Sequence, residues 1–125
     1  MTQLTRVGRV LVPVADQDAA IAFYVDKLEF TVAADVAYGD GERWIEVAPP
    51  DGGAALALVP ATDHYATGRM TGIALSSSNP RADHEGLRAK GVDVDAALIG
   101  GDGVVPLLFF FRDVDANQLM VVEDR

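Results

Sequence analysis

The sequence predicts an α+β fold of two tandem βαβββ modules, eight strands in all. Three observations carry this expectation. Short runs of β-branched and apolar residues alternate with period two, as half-buried strands do. Two helix-start signals, Asp16 and Asn79-Pro80, each stand between one strand-like run and three more. The two series also superimpose at a single shift. Arg9 lies seven residues before Asp16 and Gly72 seven before Asn79, and the same 63-residue offset carries Trp44 onto Leu107 and Ala57 onto Met120.

In the first module, residues 6–15 alternate, with Val10, Val12 and Val14 on one side and Arg9, Leu11 and Pro13 on the other. Asp16 offers a carboxylate to the free amides of a first helical turn. Ala20, Phe23, Tyr24 and Leu28 follow at helical spacing, which predicts a helix ending near Leu28. Strands are expected at 30–38, 43–48 and 54–59. The turn signals Gly39-Asp40-Gly41 and Pro49-Pro50-Asp51-Gly52-Gly53 separate them, and Pro60 closes the last.

A polar linker over 61–69 precedes the second module. Residues 70–77 alternate like a strand. Asn79 caps a helix with Pro80 at its first position, and Gly91 is the expected left-handed stop. Further strands are expected at 92–99, 106–111 and 119–123, with a turn at Gly100-Gly101-Asp102-Gly103.

The chain has 125 residues, 50 % apolar and 23 % charged, a globular composition. A chain of this length buries roughly 65 % of its unfolded surface without staples. One domain is expected, with module one at about 6–60 and module two at about 70–124. Nineteen acids against ten bases leave a net charge of −9. Such a chain repels phosphate backbones and anionic lipid, so neither nucleic acid nor membrane is expected as a partner. No run approaches ~20 apolar residues, and no export signal is expected in the first six. The absence of cysteine removes disulfides, thiolate metal sites and thiol nucleophiles, and fits a cytoplasmic setting.

The segment Val12-Pro13-Val14-Ala15-Asp16, followed by Ala22-Phe23-Tyr24-Val25-Asp26-Lys27-Leu28-Glu29-Phe30, resembles the opening of the vicinal oxygen chelate superfamily, V-x-D … A-x-x-F-Y-x-D-x-L-G-F. Glu29 stands where that pattern has Gly. Leu87-Arg88-Ala89-Lys90-Gly91-Val92 is similar to the matching helix end of the second module. Asp113-Val114-Asp115-Ala116-Asn117 is similar to the closing turn D-P-D-G-N, with Val114 and Ala116 replacing Pro and Gly. The likeness runs from about residue 7 to 123. It implies the glyoxalase/bleomycin resistance/dihydroxybiphenyl dioxygenase-like fold, with eight strands enclosing a groove, whose members include glyoxalase I, extradiol dioxygenases, fosfomycin-inactivating enzymes and bleomycin-binding resistance proteins.

Enzymes of that superfamily hold a divalent ion with His, Glu or Gln from the first and last strands of each module. The resemblance places those positions on Arg9, Ala57, Gly72 and Met120. A guanidinium has no lone pair to offer, Ala and Gly have no side-chain donor, and a thioether suits soft ions only. A slip of one residue brings Val10, Leu56 or Leu58, Ile73, and Leu119 or Val121, all apolar. The two histidines, His64 and His84, form no H-x-x-x-H pair and read as solvated; Asp113 and Asp115 read as turn formers. Neither a metal nor a cofactor is expected.

Alternation then predicts what the groove presents. Arg9, Leu11 and Pro13, Trp44 and Glu46, Ala55, Ala57 and Val59, Met70, Gly72, Ala74 and Ser76, Leu107, Phe109 and Phe111, and Met120 and Val122 are expected on the side away from the helices. The candidate ligand-binding residues are Arg9, Trp44, Glu46, Phe109, Phe111 and Met120, a largely apolar wall with few polar groups. Arg9 is suited to an anion of a ligand and Glu46 to a donor or amine, or the two satisfy each other as an ion pair. Trp44 is suited to stacking on a planar ligand. The expected function is binding of a small organic molecule without catalysis, and the acidic net charge favours a cationic or amphipathic one. No catalytic residue is assigned. The alternatives are a glyoxalase- or dioxygenase-like lyase, isomerase or oxidoreductase with a non-standard site, Glu46 serving as base, and an interaction domain whose groove its own side chains fill. A homodimer is expected from the resemblance and from sheet edges and faces that need cover.

Overall fold

The computed structural model of the chain describes residues 1–124. They form two compact units, Met1–Ala66 and one that starts at Thr67. In the first, β1 (Arg9–Val14) leads to α1 (Gln17–Ala22), then β2 (Thr31–Tyr38), β3 (Glu42–Ala48) and β4 (Ala55–Pro60). The sheet order is β1-β4-β3-β2, with β1 parallel to β4 and the other pairs antiparallel.

Asp16 caps α1 as expected, its Oδ1 accepting from the Ala19 amide at 3.1 Å. The helix reaches Leu28, but its second half, Phe23–Lys27, is a π turn. A π turn absorbs one additional residue, and that residue sets the two modules apart: thirteen positions separate Asp16 from Glu29, twelve separate Asn79 from Gly91. Glu29 and Gly91 both end their helices in the left-handed region, at φ 62° and 83°. The following amides fold back, Phe30 onto the Tyr24 carbonyl and Val92 onto that of Leu87, each at 3.0 Å. Val12, Val14, Ile45, Val47, Leu56 and Leu58 are buried on the sheet face shared with Ala20 and Tyr24. Full burial stabilises by about 1.5–3 kcal/mol for each large side chain.

The second unit repeats the plan with β5 (Met70–Ser77), α2 (Pro80–Ala89), β6 (Asp93–Val94), β7 (Leu108–Arg112) and β8 (Gln118–Glu123), in sheet order β5-β8-β7-β6. Asn79 caps α2 through the Ala82 amide at 3.2 Å. The strand expected over 92–99 is corrected: it shrinks to Asp93–Val94 and an isolated bridge between Ile99 and Leu108. The cause is Asp95. Its amide still donates to Phe110 and its carboxylate still bonds Arg112 of β7 at 2.8 Å, but its carbonyl accepts from His84 Nε2 at 2.7 Å, so the backbone ladder with β7 goes no further.

The closing turn between β7 and β8 is built by Asp113. One carboxylate oxygen accepts from the amides of Asp115 and Asn117 at 2.9 and 3.0 Å, and the other from the Asn117 side chain at 3.0 Å. Ala116 takes the left-handed conformation at φ 62°. No helix among the described residues is long and apolar enough to cross a membrane.

Candidate functional site

In the first sheet, register decides what the open face carries. Arg9 lies opposite Ala55, Leu11 opposite Ala57, and Glu46 opposite Ala57 from the other side. Trp44 lies opposite Val36 and Glu46 opposite Ala34. Cross-strand partners share a face, so Arg9, Leu11, Trp44, Glu46 and Val36 stand together, opposite to the buried Ile45, Val47 and Leu56. The sequence-based assignment of Arg9, Leu11, Trp44 and Glu46 to one face matches that register; Val36 is not assigned from the sequence.

One carboxylate oxygen organises this face. Glu46 Oε2 accepts from Arg9 Nε at 3.1 Å and from the indole N–H of Trp44 at 2.6 Å. Alternation is the cause, since Trp44 and Glu46 are two residues apart on one strand and project the same way. The Glu46 side chain is 14 % exposed and that of Arg9 53 %. Nη1 and Nη2 of Arg9 have no hydrogen-bond partner among the described residues.

A second charged cluster holds the opposite face. Arg43 bonds Asp18 of α1 at 2.8 Å and both oxygens of Asp35 on β2 at 2.9 and 3.2 Å. Hydrogen bonds from Arg43 hold the Asp35 carboxyl below the usual carboxylate range, and the two carboxylates raise the Arg43 guanidinium. Gln17 adds bonds from α1 to the carbonyls of Arg43 and Leu58 at 3.1 and 2.9 Å. This side pins the helix to the sheet and leaves the Arg9 face clear of α1.

In the second sheet the expectation for Phe109 and Phe111 is corrected. Both rings are fully buried, and Phe109 packs edge-on against His84 of α2 with centroids 5.0 Å apart. They pair with Val121 and Leu119, also buried, so they belong to the core under α2. Met120 lies on the other face, opposite Phe110 on one side and Ala74 on the other. His84 is corrected likewise: it is buried, with its Nε2–H donating to Asp95, and not solvated. His64 is exposed.

The cause of the misplaced phenylalanines is one residue. The 63-residue offset carries the Leu11–Ala57 pair onto Ala74–Met120, both observed. The Glu46–Ala57 pair, however, maps onto Phe110–Met120 and not onto Phe109. The hairpin built on Asp113 is one residue shorter than the one over 49–53, and a one-residue slip turns every side chain of a strand to the other face. That shorter turn was the only sequence signal for Phe110.

The four metal-ligand positions implied by the superfamily carry donors that do not fit a hard divalent ion. Arg9 is a cation already bonded to Glu46, Ala57 is a buried methyl, Gly72 sits at φ 75° with no side chain, and Met120 offers a thioether. Among the described residues no three His, Asp or Glu side chains group in a way that could hold a metal.

A family model described as Glyoxalase/Bleomycin resistance protein/Dioxygenase superfamily matches residues 6–121. TnmS3, an antibiotic binding protein from Streptomyces sp. CB03234, has a crystal structure that aligns over 100 % of both chains with a TM-score of 0.85 and 29 % identity. A member of the same superfamily from Sphaerobacter thermophilus DSM 20745 aligns over 98 % of this chain and 100 % of its own, with a TM-score of 0.89 and 26 % identity. YetH of Bacillus subtilis (strain 168), an uncharacterized protein, is 27 % identical over 123 residues, 96 % of this chain and 99 % of its own length.

Proposed function

The chain belongs to the glyoxalase/bleomycin resistance protein/dioxygenase superfamily, and from that premise we propose that it binds a small organic molecule, without a metal ion and without catalysis. The observation that carries the reading is the trio of Arg9, Trp44 and Glu46. Arginine occupies a position where a metal ligand is implied, and its carboxylate partner also fixes an indole. Few polar groups set in an apolar wall is the pattern of a site that orients an organic ligand. The antibiotic-binding neighbour supports a ligand of that kind. Within the second unit, Met120 and its cross-strand neighbour Phe110 form an apolar patch of that sheet's own open face.

A homodimer goes with this reading. The edge strands β2 and β5 carry the exposed Val32 and Met70, apolar surface for a second copy to cover. Light scattering at micromolar concentration tests it, and a monomer counts against it.

A thermal-shift screen against a small-molecule library tests the binding function. A ligand at 100 times its dissociation constant adds about 2.7 kcal/mol to the free energy of unfolding. A screen without a single stabilising compound overturns the reading. Elemental analysis of gently purified protein is the second arm, and a stoichiometric transition metal refutes the metal-free part.

A further inference from the structure

We propose that Glu46 is a positioning residue and not a ligand-facing carboxylate, and that Arg9 and Trp44 form a subsite for a planar aromatic compound carrying a carboxylate or an equivalent anionic oxygen pair. The proposal rests on the binding function above and reverses the ligand charge that the net charge of −9 favours. Its first ground is how Glu46 is used. A single oxygen takes both donors, at 3.1 and 2.6 Å, and only 14 % of the side chain meets solvent. A ligand ammonium finds there a carboxylate already neutralised by Arg9. The second ground is what Arg9 leaves open. Nε is spent on Glu46, whereas Nη1 and Nη2 lack partners among the described residues on a side chain 53 % exposed. Two parallel N–H donors on one edge match the two oxygens of a carboxylate.

Trp44 supplies the third ground. Its N–H is tied to the oxygen that anchors Arg9, so indole and guanidinium are neighbours held in fixed orientation on one sheet face. The indole face is then a stacking surface beside an anion-binding edge. Net charge does not override this arrangement. Charges farther than a Debye length of about 8–10 Å are screened at physiological salt, so the nearest donors decide.

The test uses the full chain and two matched probes, 4-nitrobenzoate and 4-nitrobenzylammonium. Trp44 is the only tryptophan, so static quenching of its fluorescence, corrected for absorption by the probe, reports this subsite alone. The nitrobenzoate is expected to quench saturably and to bind about tenfold more tightly than the ammonium probe. Arg9→Ala is expected to weaken nitrobenzoate about tenfold, the equivalent of about 1.4 kcal/mol. Glu46→Gln keeps an oxygen acceptor for both donors while removing the negative charge, so it is expected to keep or tighten nitrobenzoate binding. Glu46→Ala frees Arg9 and Trp44 and is expected to weaken it as Arg9→Ala does. Circular dichroism checks that each variant folds, and Glu46→Gln stands as the informative variant if Glu46→Ala does not.

Preference for the ammonium probe, or equal losses in Glu46→Gln and Glu46→Ala, overturns the proposal. Stabilising compounds from the library screen that bind equally well to Arg9→Ala, with no saturable quenching by either probe, overturn the subsite while the binding function stands. Failure of library and probes alike removes both.

Discussion

Truncating Phe109 and Phe110 one at a time tests the register that defines the second sheet. The two rings are adjacent in sequence and chemically identical, yet the structure buries Phe109 completely under α2 and leaves Phe110 half-buried on the other face. Phe109→Ala removes the ring that packs edge-on against His84 and lies opposite the buried Val121. A cavity of that kind costs about 3–5 kcal/mol. Phe110→Ala removes a ring that gives up only part of its transfer energy, about 1 kcal/mol. With a urea slope of about 1.5 kcal/mol per molar, the midpoint is expected to fall by about 2–3 M for Phe109→Ala and by under about 1 M for Phe110→Ala. Far-UV circular dichroism during urea titration reads both, because Trp44 reports only the first unit. Titrations at two protein concentrations separate chain stability from assembly, since a cost arising in an oligomer makes the midpoint concentration-dependent. Equal losses for the two variants at both concentrations refute the one-residue register difference between the modules.

Further outcomes follow from backbone geometry and charge. Glu29 and Ala116 hold φ 62° without being glycine, a conformation that costs an L-residue about 1–2 kcal/mol. After the entropy that glycine adds to the unfolded chain, Glu29→Gly and Ala116→Gly are each expected to stabilise by about 0.5–1 kcal/mol in thermal unfolding; a loss in both contradicts the strain argument. Asp35 and Asp93 titrate below the ordinary carboxylate value because Arg43 and Arg112 bond them. A depressed folded pKa gives stability that is present above the unfolded value and is lost as pH falls through the folded one. Stability is therefore expected to fall below about pH 4, and to fall less steeply in an Asp35→Asn/Asp93→Asn double variant than in the parent. Parallel acid titrations of the urea midpoint make that comparison, and identical curves defeat the assignment.

Local signals in the sequence were sufficient wherever the deciding interaction was short-range. Asp16 and Asn79 cap helices because a side-chain oxygen reaches an amide three residues on. The open face of the first sheet followed from alternation alone, so Arg9, Trp44 and Glu46 were legible as residues on one side. Their shared hydrogen bonds were not. Alternation says which way Trp44 and Glu46 point, and nothing in the order of residues says that one oxygen of Glu46 serves both neighbours. The strand expected over 92–99 failed for a related reason. Its residues have strand character, but His84, which lies outside it on α2, takes the carbonyl of Asp95 away from the ladder.

By itself the residue order determined the doubled βαβββ plan, the helix boundaries near Asp16 and Asn79, and the absence of hard-ion donors at Arg9, Ala57, Gly72 and Met120. These depend on side-chain chemistry and on periodicities that each segment carries alone. Only the tertiary structure decided which phenylalanines line the core, that His84 is buried, and that Glu46 is already engaged by two donors. Those outcomes depend on how strands pair. A hairpin shorter by one residue changes no local preference, yet it turns β7 over and exchanges Phe109 for Phe110 on the open face.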